Sequence, residues 1–98
     1  MRSNAIKMLV SLSGKASQNT LINQIVPMVE KYKDSTNSKY RVVYLHYIKN
    51  VAHLLPSNLL RHHIENTVAL TKDLIPNARY NALKSILTVY QMLKVYIY

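Results

Sequence analysis

A chain of 98 residues has room for one modest core, and 13 Lys+Arg against 4 Asp+Glu give it a formal net charge of +9. The absence of Cys excludes disulfide frameworks, thiolate zinc sites and thiol nucleophiles, and a single Gly leaves nothing for a Gly-rich phosphate loop or a set of tight hairpins. A hydrophobic content of 49% is too high for a disordered basic tail. Apolar runs such as Ile25-Val26-Pro27-Met28-Val29 fall far short of the roughly 20 residues that span a bilayer. The N-terminus makes a poor signal peptide because Lys7, Ser11 and Ser13 interrupt its apolar stretch. A cytoplasmic protein is expected, with the nucleus also open to it.

Five helix-length segments follow in chain order. The first covers 4–12, with Ala5, Ile6, Met8, Leu9 and Leu12 apolar, and is expected to stop at Ser13-Gly14 with Gly14 in the left-handed cap conformation. After a polar loop over 15–19, Asn19 or Thr20 can cap a second helix. Leu21, Ile22, Ile25, Val26, Val29 and Tyr32 give it one apolar face, Pro27 should kink it, and Lys33-Asp34 end it. The third, 40–55, is the densest apolar stretch, carrying Val43, Tyr44, Tyr47, Ile48, Val51, Ala52 and Leu55. Its β-branched residues would suit a strand, but its length and 3.6-residue period favour helix. Pro56 stops it, and Ser57 is the expected cap of a fourth helix through Leu60, Ile64, Thr67, Val68 and Thr71 to Asp73. The turn Leu74-Ile75-Pro76-Asn77 leads into a fifth, 78–94, through Ala82, Leu83, Ile86, Val89, Tyr90 and Leu93.

The chain also resembles itself. Arg2-Ser3-Asn4-Ala5-Ile6-Lys7-Met8-Leu9 aligns with Arg79-Tyr80-Asn81-Ala82-Leu83-Lys84-Ser85-Ile86, and Arg41 stands between them, 39 residues after Arg2 and 38 before Arg79. A helix-pair repeat of this length falls beside the roughly 40-residue HEAT/armadillo class. Asp73 precedes Arg79 by six positions, in the manner of a HEAT Asp ending one helix and Arg starting the next. Asp34 and Arg41 repeat the pattern with one extra residue, which predicts a looser turn. Side chains so placed can ladder from repeat to repeat through charge-assisted hydrogen bonds. The fold expected is an all-α solenoid of antiparallel helix pairs, about two and a half repeats long: 1–14 as the second helix of an incomplete repeat, then 19–55 and 57–95.

The run from Asp73 to Ile86, DLIPNARYNALKSI, resembles a stretch in the late repeats of the scaffold (A) subunit family of type-2A protein phosphatases. Arg41-Val42-Val43-Tyr44-Leu45 and Ile25-Val26-Pro27 resemble that family's preceding repeat. Ser38-Lys39-Tyr40 stands where the family carries a Trp and basic residues, and the family is acidic where this chain is basic. The resemblance implies a non-catalytic scaffold or regulatory protein whose intra-repeat turns form a ridge for a protein partner, a phosphatase catalytic subunit. The matching positions are Asn37, Ser38, Lys39, Tyr40 and Arg41 in one turn and Pro76, Asn77, Arg79 and Tyr80 in the next. For Arg41 and Arg79, laddering to Asp34 and Asp73 is the competing role.

A second class of function is nucleic-acid binding, since the Lys/Arg excess could supply a salt-dependent footprint, although the basic residues are scattered and match no recognised motif. Enzyme chemistry is not expected. Glu30, Asp34, Glu65 and Asp73 lie far apart in the chain, His62 and His63 point to different helix faces, and His46 and His53 are too far apart to share a metal. No metal or cofactor is expected. Tyr44, Tyr47, Tyr90, Tyr96 and Tyr98 fall on apolar faces and are expected in packing. Met8 and Leu9 at one end, and Tyr90, Leu93 and Tyr96 at the other, should expose apolar surface, which favours self-association.

Overall fold

The computed structural model describes the backbone of residues 2–97 and the side chains of residues 6–91. The expectations placed on Arg2, Asn4, Ala5, Leu93, Tyr96 and Tyr98 concern side chains outside that range. The described backbone is helical throughout apart from short turns, and contains no strand.

Helix α1 spans Arg2–Lys15. It does not stop at Gly14. That residue has no positive φ, and Ala16 N–H still donates to Leu12 O at 3.0 Å, so the ladder runs on for a further turn. The break comes at Ser17, whose extended backbone and hydroxyl, accepting from Thr20 N–H at 3.2 Å, begin the next helix. The expected loop over 15–19 thus shrinks to two residues, and the cap is neither Asn19 nor Thr20.

Helix α2 covers residues 18–34 in four registers: α-helical Gln18–Thr20, a π-turn Leu21–Ile25, α-helical Val26–Glu30, and 3₁₀ Lys31–Asp34. Pro27 explains the change. It has no N–H for the carbonyl four residues earlier, and its ring crowds that carbonyl. The preceding turn widens instead, with Val26 N–H donating to Leu21 O, five residues back. Leu21, Ile25, Val26 and Val29 stay buried through the distortion, whereas Tyr32 is exposed.

Helix α3, Ser38–Val51 with a 3₁₀ turn Ala52–Leu54, is the centre of the molecule. Every apolar residue singled out in it is buried: Val43, Tyr44, Tyr47, Ile48, Val51, Ala52 and Leu55, together with Leu45. Helix α4, Ser57–Leu70, starts after Pro56, which fills the N-cap position with no side-chain hydrogen bond, so Ser57 is the first helical residue and not the cap. It buries Leu60, His63 and Thr67 and exposes Val68. Helix α5, Pro76–Ile97, begins on its proline, whose fixed φ suits a first helical position. Its inner face is made of small residues, Ala78, Ala82, Ser85 and Val89, at i, i+4, i+7 and i+11.

Helices α1, α3 and α5 pack side by side in that order, with α2 against α3 and α4 against α5. The Cα extents are 34 × 32 × 19 Å, a plate about two helix diameters thick. Polar groups tie the row together where it is driest. The Ser13 and Tyr47 hydroxyls meet at 2.7 Å between α1 and α3, and Ser85 Oγ donates to Leu45 O at 3.2 Å between α3 and α5. No buried side-chain nitrogen or oxygen among the described residues lacks a partner.

Candidate functional site

The turns leading into α3 and α5 share two side-chain hydrogen bonds at equivalent places. Ser35 Oγ accepts from Asn37 N–H at 3.1 Å, and Asp73 Oδ1 accepts from Ile75 N–H at 2.9 Å, each two residues on. Arg41 Nη1 donates to Ser35 O at 2.7 Å, and Arg79 Nη1 donates to Asp73 O at 2.9 Å, each six residues back. The structural counterpart of Asp73 is therefore Ser35, 38 residues earlier, and each stands six residues before its arginine, although the first turn has three residues between helices and the second five. The looser first turn expected from Asp34 is not found. Asp34 is exposed and pairs with neighbouring Lys33 at 2.7 Å.

Arg41 reaches across to the second turn. Its Nε and Nη2 donate to Asp73 Oδ2 and Oδ1 at 2.6 and 2.9 Å, a two-point fork in which both side chains are mostly shielded from solvent. The hydrogen bond from Arg41 holds the Asp73 carboxyl below its ordinary pKa, burial opposing and Ile75 N–H assisting. The same hydrogen bond raises the Arg41 guanidinium. Arg41 thus ladders to Asp73 and not to Asp34, and the two turns are fixed next to each other.

Around this pair stand the other residues expected on the ridge. Asn37 caps α3, its Oδ1 accepting from Lys39 N–H at 3.0 Å, and Ser38 is half-buried beside it. Lys39 and Tyr40 are exposed, with the Tyr40 ring 5.5 Å from that of Tyr32. Pro76, Asn77 and Arg79 are exposed, and Asn77 O accepts from Asn81 Nδ2 at 2.8 Å. Tyr80 is exposed with Lys84 Nζ 5.1 Å from its ring centroid. Arg41 is the one member whose charge is already spent within the chain. The sequence reading passed over Leu74, 90% exposed, and half-exposed Ile75 in the second turn. Their place between Asp73 and Pro76 was the available signal, since a turn cannot bury two consecutive branched side chains on one face.

A second polar cluster lies deeper, between α2, α3 and α4. Asn66 Nδ2 donates to Tyr44 Oη at 3.2 Å and to Glu30 Oε2 at 3.0 Å. Tyr44 Oη lies 2.7 Å from His63 Nδ1, and His62 Nε2 lies 2.8 Å from Glu30 Oε2. Because Tyr44 accepts from Asn66, its single proton is directed to His63 Nδ1, which assigns the neutral Nε2–H tautomer to that ring. Burial agrees, pushing the His63 pKa down, with the Glu30 charge opposing and His62 and Lys33 assisting. Tyr44 is pushed up, chiefly by burial. Burial raises the Glu30 carboxyl, but the hydrogen bonds from His62 and Asn66 outweigh it and leave the pKa lowered. With Tyr44 and His63 fully buried, the cluster serves to hold three helices together. The described residues hold no group of three metal-ligating side chains.

A groove of about 580 Å³ runs between α1 and α3, with Ile6, Val10, Val42 and Val43 as its apolar wall and Lys7, Lys39 and His46 as its basic rim. Burial lowers the His46 pKa, and the charges of Lys49 and Lys84 lower it further. Among the described residues no helix is long and apolar enough to cross a membrane.

No protein-family profile, curated protein or solved structure matches this chain.

Proposed function

We propose that the chain is a non-catalytic, HEAT-like scaffold of antiparallel helix pairs, working in the cytoplasm or nucleus, that binds a protein partner along the ridge formed by its two equivalent turns. The observation that carries this reading is the Arg41–Asp73 fork, which holds the turns side by side and leaves Lys39, Tyr40, Leu74, Ile75 and Tyr80 facing solvent. Exposed tyrosines and arginines are the usual anchors of protein interfaces, and Tyr40, Tyr80 and Arg79 supply them here. The row α1, α3, α5, with α2 against α3 and α4 against α5, supports a reading as about two and a half stacked helix pairs. The resemblance of residues 73–86 points to a serine/threonine phosphatase catalytic subunit as the partner. The test is capture of that subunit by tagged chain: Lys39→Glu with Tyr80→Ala should abolish it while the helical circular dichroism stays unchanged. Capture at the wild-type level sinks the ridge.

The basic rim of the α1–α3 groove, Lys7, Lys39 and His46, favours one alternative, a nucleic-acid face on the row helices. Phosphate-driven binding is tight at low salt, so that reading requires association with duplex or single strand at about 50 mM salt that weakens steeply by 200 mM. No binding at the lower salt removes it.

A further inference from the structure

The equivalence of the two turns extends along the helices that follow them, and there the two copies of the pattern differ in one respect. Arg41, Leu45 and Ala52 share a face of α3; Arg79, Leu83 and Tyr90 hold the corresponding places on α5, 38 residues later. On α3 that face is covered by α5. Leu45 is 0% exposed, its carbonyl takes the Ser85 hydroxyl, and the Arg41 fork takes Asp73 from the turn before the covering helix. On α5 the same face is open: Leu83 is 54% exposed and Tyr90 63%, with Leu87 and Tyr80 exposed in the same stripe. Arg79 is set as Arg41 is, by its Nη1 hydrogen bond to the carbonyl six residues back. Its Nε and Nη2, the nitrogens with which Arg41 grips a carboxylate, have no partner among the described residues.

We propose that this face of α5 docks an acidic helix of another protein, entered through a turn whose Asp or Glu sits on the Arg79 guanidinium as Asp73 sits on that of Arg41. The covering helix must approach closely, so its inner face carries small residues, as Ala78, Ala82 and Ser85 do on α5. Charge selects an acidic partner over a second copy. Of the chain's four side-chain carboxylates, Glu30 and Asp73 are engaged between helices, Glu65 lies on α4, and Asp34, exposed at the end of α2, has Lys33 on it at 2.7 Å, so a copy of a +9 protein offers one turn carboxylate and brings its surplus of cations with it. The inference rests on the repeat equivalence and on Arg79, not on the ridge residues around Lys39.

The probe is a labelled synthetic peptide with the sequence of residues 70–91, carrying Lys72→Glu, Arg79→Glu and Lys84→Glu and keeping Asp73, titrated with the full chain by fluorescence anisotropy. Arg79→Gln in the chain, or Asp73→Asn in the peptide, should each weaken binding about tenfold, with little further loss when combined, because both remove one charge-assisted contact. Leu87→Asp, at an exposed position and so compatible with folding, should weaken it at least as much, whereas Lys39→Glu should leave it unchanged. A loss confined to Lys39→Glu would place the peptide on the ridge and overturn the proposal. So would binding indifferent to Arg79 and Leu87, or no binding with the chain at about 100 μM, where a helix-in-groove contact registers. Concentration-dependent self-association abolished by Leu87→Asp would seat a second copy on the face and overturn it equally.

Discussion

Gly14 sits in the last turn of α1 with helical backbone, and a methyl group added there meets nothing within 4 Å. Gly14→Ala should therefore stabilise the chain by about 0.5–1 kcal/mol, mainly by restricting the unfolded state, and thermal melting should register it as a rise of a few degrees. A drop in Tm would mean that the helix ends earlier than Lys15. His63 makes a different kind of prediction. Its folded pKa lies below 6.5, so as pH falls through 6.5 the unfolded chain takes up a proton that the native one refuses. Stability is fully present above that pH and declines below it by up to about 1.4 kcal/mol per pH unit, levelling off once the native ring protonates. Denaturant midpoints measured from pH 7.5 to 5 should slope less in His63→Gln. The remaining slope reports His46, which is lowered in the same sense. An identical slope in the variant would put His63 in contact with solvent. Part of this is legible in the sequence, where His63 falls three residues after Leu60 and four before Thr67, on the face that is buried. The Tyr44 hydroxyl that meets its ring depends on how α4 packs against α3.

At the scale of elements, apolar periodicity carried most of the information wherever a helix is enclosed. In α3 all seven residues picked for the core are buried, because a helix flanked by α1, α5 and α2 has nearly its whole circumference covered. It carried less in α5, whose packed face is Ala78, Ala82, Ser85 and Val89 while Leu83, Leu87 and Tyr90 are exposed. Small side chains pack where helices approach closely, and hydropathy underrates them. The turn chemistry was misread for a similar reason. Chain proximity favours Asp34 as the partner of Arg41, but the fork closes on Asp73, 32 residues away, which only the packing of α3 against α5 brings alongside. Pro27 marks the distortion in the sequence, but that it takes the form of a π-turn over Leu21–Ile25 is seen only in the structure. The equivalent leucines give a sharp test. Leu45→Ala should cost about 2–5 kcal/mol and Leu83→Ala within about 0.5 kcal/mol, read from urea midpoints. Equal costs would mean that the outer face of α5 is covered.

For the molecule as a whole, most of the row's cohesion is apolar, and the polar links between its helices include one between α1 and α3, Ser13 with Tyr47, and two between α3 and α5 with its leading turn, Ser85 with Leu45 and Arg41 with Asp73. The last is the only one of the three to carry charge, and it joins α3 to the turn that leads into α5. Protonation of Asp73 breaks it, so this contribution is present at neutral pH and lost as pH falls through the lowered pKa of that carboxyl. The ridge and the open face of α5 both depend on these turns keeping one geometry. That dependence is measured most directly by a double-mutant cycle on Arg41→Gln and Asp73→Asn, followed by equilibrium unfolding. A coupling energy of about 1–3 kcal/mol is expected for a shielded two-point pair, whereas single costs that add to within about 0.5 kcal/mol would contradict it.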